Sequence, residues 1–150
     1  MVLADHVYRD AETGKFLIIG TFGNIFLRTV VAPPKPAPAG SEIEGEVQTV
    51  EATHVSQAGT PYLYLALTSI HGRVPLHLKY VNLADSSVSL ECQLDVESNN
   101  PVAVAEFCLP LPPLTRPPGL YSLDLLHEGE ILGSWRVAIG PPPSAEEAQP

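Results

Sequence analysis

In "VSLECQLDV", Val88, Leu90, Cys92, Leu94 and Val96 alternate without exception with Ser89, Glu91, Gln93 and Asp95. A strand turns successive side chains to opposite faces, so such a segment buries one face and wets the other, which a helix cannot do. Period-2 stretches or short continuous apolar runs recur along the chain, and no segment carries a convincing helical period. They place strands near 2–9, 15–20, 22–31, 46–55, 62–71, 75–83, 87–97, 102–109, 120–127 and 131–139. Short strands punctuated at this spacing predict an all-β fold, an antiparallel β-sandwich or barrel.

The connections agree. The chain holds 16 prolines in 150 residues, about twice the usual share, and their clustering opposes long helices. "AETGK" offers Gly14 where a hairpin needs positive φ, and "LADSS" and "HEGE" suit the same role. Gly20 and Gly23 fit a bulge or tight bend. "VAPPKPAPAG" and "LPLPPLTRPPG" read as stiff crossovers. Between them, "SEIEGEVQTVE" is an acidic edge strand or loop, and carboxylates so solvated do not suit a glycosidase acid. The end, "GPPPSAEEAQP", has nothing to bury. The expected organisation is a single domain over 1–140 and a disordered tail over 141–150.

Charge narrows the function classes. Seventeen acidic against eight basic residues give −9, a balance that repels phosphate backbones and anionic lipid, and no basic stripe reverses it. Nucleic acid and membrane are therefore not expected partners. No apolar run is long enough to span a bilayer, and "MVLADHVYRD" lacks a secretory pattern, so the expected location is cytoplasmic. The strand pattern turns Cys92 inward, whereas in "AEFCL" Phe107 and Leu109 take the inner face and turn Cys108 outward. Opposite faces oppose a disulfide between them.

Motifs for chemistry fail one by one. A phosphate loop needs a glycine at the position of Arg9 and a hydroxyl residue where Phe16 follows Lys15, and it must open a helix. His6, His54, His71, His77 and His127 show no ligand spacing. A hairpin around "HGRVP", turning at Gly72 and Arg73, would bring His71 to His77, yet two ligands do not make a zinc site. No nucleophile elbow is present. No catalytic, cofactor or metal residue is assigned. A site assembled only in space would draw on Asp5, His6, His71, His77, Glu106 and Cys108.

Two surface features remain. In "YLYLALTS", Leu63, Leu65 and Leu67 share one face and leave Tyr62 and Tyr64 on the other, where tyrosines suit an interface or a strand buried on both sides. With His77 on a neighbouring strand they form the candidate interaction surface. "LPPLTRPP" has its arginine one residue out of place for a polyproline ligand, so it reads as a rigid crossover.

In "RPPGLYSLDLLHEGEILGSWRVAIG", Gly119 and Tyr121 lead into a strand and a tight hairpin, and Trp135, Val137 and Ile139 share a face of the last strand. This resembles the closing strands of immunoglobulin-like and fibronectin-like domains. The resemblance implies an immunoglobulin-like or related Greek-key sandwich in which Tyr121 bonds back to the crossover. The Cys–Trp–Cys pattern of antibody domains is absent, so the likeness is architectural. "ADHVYRDAETGKFLIIGTFGNIF", with Asp5, Thr13, Gly14, Lys15, Gly20, Phe22 and Ile25, resembles the start of a family of uncharacterised small bacterial proteins. That resemblance resumes at "PPGLYSLDLLHEGEILGSW" and implies fold and bacterial origin, not activity. The expectation is a non-enzymatic module that binds a protein partner or itself. The alternative is a ligand-binding protein or enzyme whose site forms only in three dimensions.

Overall fold

The structure is a computed structural model that describes residues 1–31, 52–56, 60–114 and 116–141. The proline connector, the acidic segment after it and the terminal tail lie outside the described residues, apart from their first or last positions. Among the described residues ten strands are formed: β1 (Val2–Arg9), β2 (Phe16–Thr21), β3 (Asn24–Val31), β4 (Ala52–Ser56), β5 (Tyr62–Leu67), β6 (Gly72–Asn82), β7 (Val88–Ser98), β8 (Ala105–Pro110), β9 (Gly119–His127) and β10 (Glu130–Gly140). They form a four-stranded sheet, β2-β1-β5-β8, and a six-stranded sheet, β4-β3-β10-β9-β6-β7. Among the described residues no helix is long and apolar enough to cross a membrane.

Alternation decides what each strand buries. Leu63 and Leu65 of β5 meet Leu76, Leu78 and Tyr80 of β6, Tyr121, Leu123 and Leu125 of β9, and Val137 and Ile139 of β10 in one core. Burying each such leucine stabilises the fold by roughly 1.5–3 kcal/mol. Strand β7 keeps the strict alternation of its sequence, but as an edge it buries only Val96 fully. At the centre the Tyr80 and Tyr121 rings stack 5.1 Å apart. The Tyr121 hydroxyl donates to the Pro117 carbonyl at 2.9 Å, tying the start of β9 to the crossover before it. The buried Tyr80 hydroxyl has no hydrogen-bond partner among the described residues. Burial, then the neighbouring Tyr121, holds its pKa well above the ordinary phenol value.

Two expectations need correction. The sheets are not wholly antiparallel, because β3 runs parallel to β10 through Ala138↔Asn24, Ile139↔Ile25 and Gly140↔Phe26. Phe22 and Gly23 carry the chain from one sheet to the other, so β3 leaves β2 behind and lands between β4 and the distant β10. No local pattern encodes a partner so distant. The crossing is tight: a Cβ on Gly23 would lie 3.3 Å from the Arg136 carbonyl, and the Trp135 indole donates to the Phe22 carbonyl at 2.8 Å.

Nor does a hairpin form around "HGRVP". Strand β6 runs unbroken from Gly72 to Asn82, and six residues of strand separate His71 from His77 by about 20 Å. The chain turns earlier, with Ser69 and Gly72 at positive φ. Pro75 is tolerated inside β6 because its pairing with β9 begins only at His77↔Leu126. On that side the Pro75 carbonyl instead accepts a hydrogen bond from His127 Nδ1 at 3.0 Å. A missing backbone N–H costs nothing where no ladder partner waits for it.

The β1–β2 hairpin bends away from the plane of the other two strands of its sheet. Strand β1 pairs with β5 only through Val2↔Tyr64, Leu3↔Leu63 and Ala4↔Tyr62. A straight hairpin would carry Phe16, the partner of Arg9, about 23 Å along the strand from Val2. Instead the Phe16 and Tyr64 rings lie 5.4 Å apart. The hairpin therefore doubles back over the outer face of the four-stranded sheet. Ala4 points away from the core yet is 0% exposed, because it lies beneath the fold-back. The bend sits where Asp5 faces Gly20, between Ala4↔Thr21 and His6↔Ile19. Gly20 has φ +71° there, and a Cβ on it would strike the Asp5 side chain.

Candidate functional site

The tyrosine face singled out in the sequence lies on this covered surface. Inward Leu63 and Leu65 turn Tyr62 and Tyr64 outward, and the register sets Tyr64 opposite Cys108 on β8. The Tyr64 hydroxyl donates to Glu106 Oε1. That hydrogen bond first, then burial, then the carboxylate charge push the phenol up to about 12. Phe16 sits against the same ring, and the Arg9 guanidinium lies 5.6 Å from the Phe16 centroid. Tyr64 is thus engaged within its own chain. Cys108 and Cys92 are both free thiols, each pushed up by burial. A raised pKa leaves little thiolate near neutrality and opposes a nucleophilic role.

The hairpin carries a second face. Opposite residues of an antiparallel pair share a side, so His6↔Ile19 and Tyr8↔Leu17 lie together on the side away from the sheet. Tyr8, Leu17 and Ile19 are 54%, 55% and 51% exposed, and the His6 and Tyr8 rings stack 5.9 Å apart. Val7, Phe16 and Ile18 point the other way and are half-buried. Sequence reasoning missed this face. The signal was available in "FLIIG", a run with no polar residue on either side, which reads as a strand buried on both faces when only one is covered.

His77 does not join the tyrosines. It stands on the outer face of the six-stranded sheet, beside Gln93 of β7 and Leu126 of β9. The same face carries the Lys79–Glu91 ion pair at 3.2 Å and the Arg73–Asp95 pair at 2.6 Å. Asp95 is drawn down and Arg73 raised by their mutual hydrogen bond. Ser122 donates to Asp124 on β9 nearby.

Gly14 and Lys15 serve a turn. Gly14 has φ +69°, its amide donates to the Asp10 carbonyl at 2.9 Å, and the Asp10 amide donates to the Lys15 carbonyl at 2.8 Å. The Asp10 carboxylate accepts from the Glu12 amide at 2.8 Å and the Thr13 hydroxyl at 2.9 Å, contacts that lower its pKa. Gly119 packs against the Tyr121 ring, where a Cβ would lie 3.5 Å away. Among the residues reserved for a spatially assembled site, the structure brings Glu106 and Cys108 together on β8. It leaves Asp5 and His6 on the hairpin and His71 and His77 on or before β6. Among the described residues no three His, Cys, Asp or Glu side chains gather to hold a metal. Comparison of the chain with protein-family models, curated proteins and solved structures finds no match.

Proposed function

We propose that this chain is a non-enzymatic β-sandwich of immunoglobulin-like strand arrangement that works as a protein-interaction or assembly module. The arrangement is supported by the run β3-β10-β9-β6-β7 and by Tyr121, whose bond to Pro117 is the one a corner tyrosine makes. Kinship with small bacterial β-proteins and a cytoplasmic location belong to the same reading, and two free thiols suit a reducing compartment.

One observation carries the interaction role: the uncharged hairpin face of Tyr8, Leu17 and Ile19, each more than half exposed. Apolar patches of a few hundred Å² on a soluble surface are often functional. To test the reading, the full chain and its Leu17→Lys/Ile19→Lys variant are immobilised, and proteins retained from a lysate, or added soluble copies, are compared. Retention that the variant loses supports the module. A chain that retains neither a partner nor itself through this face would not be one.

A further inference from the structure

We infer that the partner of this face is a second copy of the chain, met by antiparallel pairing of β2 with β2 across a two-fold axis. The inference rests on the reading of the molecule as an interaction module and names its partner. Strand β2 ends the four-stranded sheet, so among the described residues the side of its backbone away from β1 has no strand beside it. Its six residues, FLIIGT, carry no charge and no proline, the two devices that usually blunt an edge.

The opposite edge of the molecule shows what protection looks like here. Strand β7 directs Glu91, Gln93, Asp95 and Glu97 outward, so a second strand laid along it would meet a row of carboxylates. The contrast favours β2 over β7, and it is β2 whose edge adjoins the bared apolar face. It also favours a copy of the chain over a partner of opposite charge. Two molecules of net charge −9 repel over most of their surface and meet at least cost where neither bears an acid. His6, Tyr8, Leu17 and Ile19 supply such a place.

An antiparallel pair centred on Ile18 keeps like faces together and sets Leu17 against Ile19 of the second copy. The Tyr8 ring flanks this pair within each hairpin. Edge pairing joins the two faces side by side and buries only the flanks of Leu17 and Ile19 against each other, well short of a standard stable interface. The dimer is therefore weak and concentration-dependent, and high salt tightens it by screening the like charges.

Sedimentation equilibrium of the full chain from micromolar to millimolar concentration tests this. The expected result is a weight-average mass rising towards twice the monomer, at lower concentration in high salt. Leu17→Lys/Ile19→Lys stays monomeric throughout, while Gln93→Lys on the other edge dimerises as the parent does. Because the paired lysines could unfold the hairpin, hydrogen exchange of the parent gives a second reading, with β2 amides slowing as concentration rises. A parent that stays monomeric, or a dimer that tolerates both lysines, overturns the inference. If the parent is monomeric yet captures a foreign protein that the variant loses, self-pairing falls and the module reading stands. If it captures nothing, both fall.

Discussion

The hairpins β1–β2 and β6–β7 close with the same turn and then meet opposite fates. In the first, Asp10 N–H donates to Lys15 O and Gly14 N–H to Asp10 O; in the second, Asn82 N–H donates to Ser87 O and Ser86 N–H to Asn82 O. In both the first residue's side chain accepts the amide two positions on, Glu12 onto Asp10 and Ala84 onto Asn82, each at 2.8–2.9 Å. The fifth turn residue lies at positive φ in each, Gly14 at 69° and Ser86 at 60°. Yet β6–β7 stays in its sheet, its outer face laced by two ion pairs, while β1–β2 bends at Gly20 and bares an apolar face. Turn geometry is therefore indifferent to what the strands do next. The exposed ion pairs add little stability, and charges such as Glu91, Asp95 and Glu97 along an edge strand are of the kind that discourages pairing with another chain.

The comparison can be broken first at the bend. Gly20→Ala puts a Cβ against the Asp5 side chain at positive φ and should cost about 2 kcal/mol or more in chemical denaturation. It should also free Tyr64 from Phe16, so an unchanged stability would remove Gly20 from its hinge role. The two turns give opposite signs. Gly14→Val should lose about 1 kcal/mol or more, because a β-branched residue resists positive φ. Ser86→Gly should gain about 0.5 kcal/mol by relieving the same conformation, net of glycine's greater freedom when unfolded. Equal signs would mean that the turns are not equivalent.

Within the second hairpin, Tyr80→Phe removes a buried hydroxyl that has no partner among the described residues. A gain of about 1 kcal/mol is expected, and a loss of similar size would reveal a hydrogen bond made in solution. The smallest effect is spectroscopic. In the folded protein Tyr64 should titrate near pH 12 by near-ultraviolet absorbance, against 10.0 for an ordinary phenol. Its protonated form favours folding fully below pH 10, and that contribution fades as pH rises through about 12. Glu106→Gln should lower the midpoint, and a midpoint unmoved by that change would deny the Tyr64–Glu106 bond.

Much of the fold was legible because each strand records its own inside and outside. Alternation in β7 marked Val88, Leu90, Cys92, Leu94 and Val96 as one inward face; the structure buries Val96, half-buries Leu90, Cys92 and Leu94, and leaves Val88 exposed at the edge. Turn chemistry located the hairpins at Gly14 and Gly129. It failed at "HGRVP", because Pro75 signals a break only where a neighbouring strand needs its N–H. The candidate site was less legible. Tyr62 and Tyr64 were assigned correctly to the outer side of β5, but nothing nearby in sequence says that residues 5–20 come to lie over them.

The sequence by itself determined most of the strands, the turns at Gly14 and Gly129 and the inward face of the alternating strands, because these depend on neighbours within a few residues. Only the tertiary structure decided that β3 runs beside β10, that Phe16 reaches Tyr64, and which side of "FLIIG" is left bare. Each of these joins residues far apart along the chain or turns on a single bend at Gly20. A run apolar on both sides carries no label for the face that the rest of the molecule will cover.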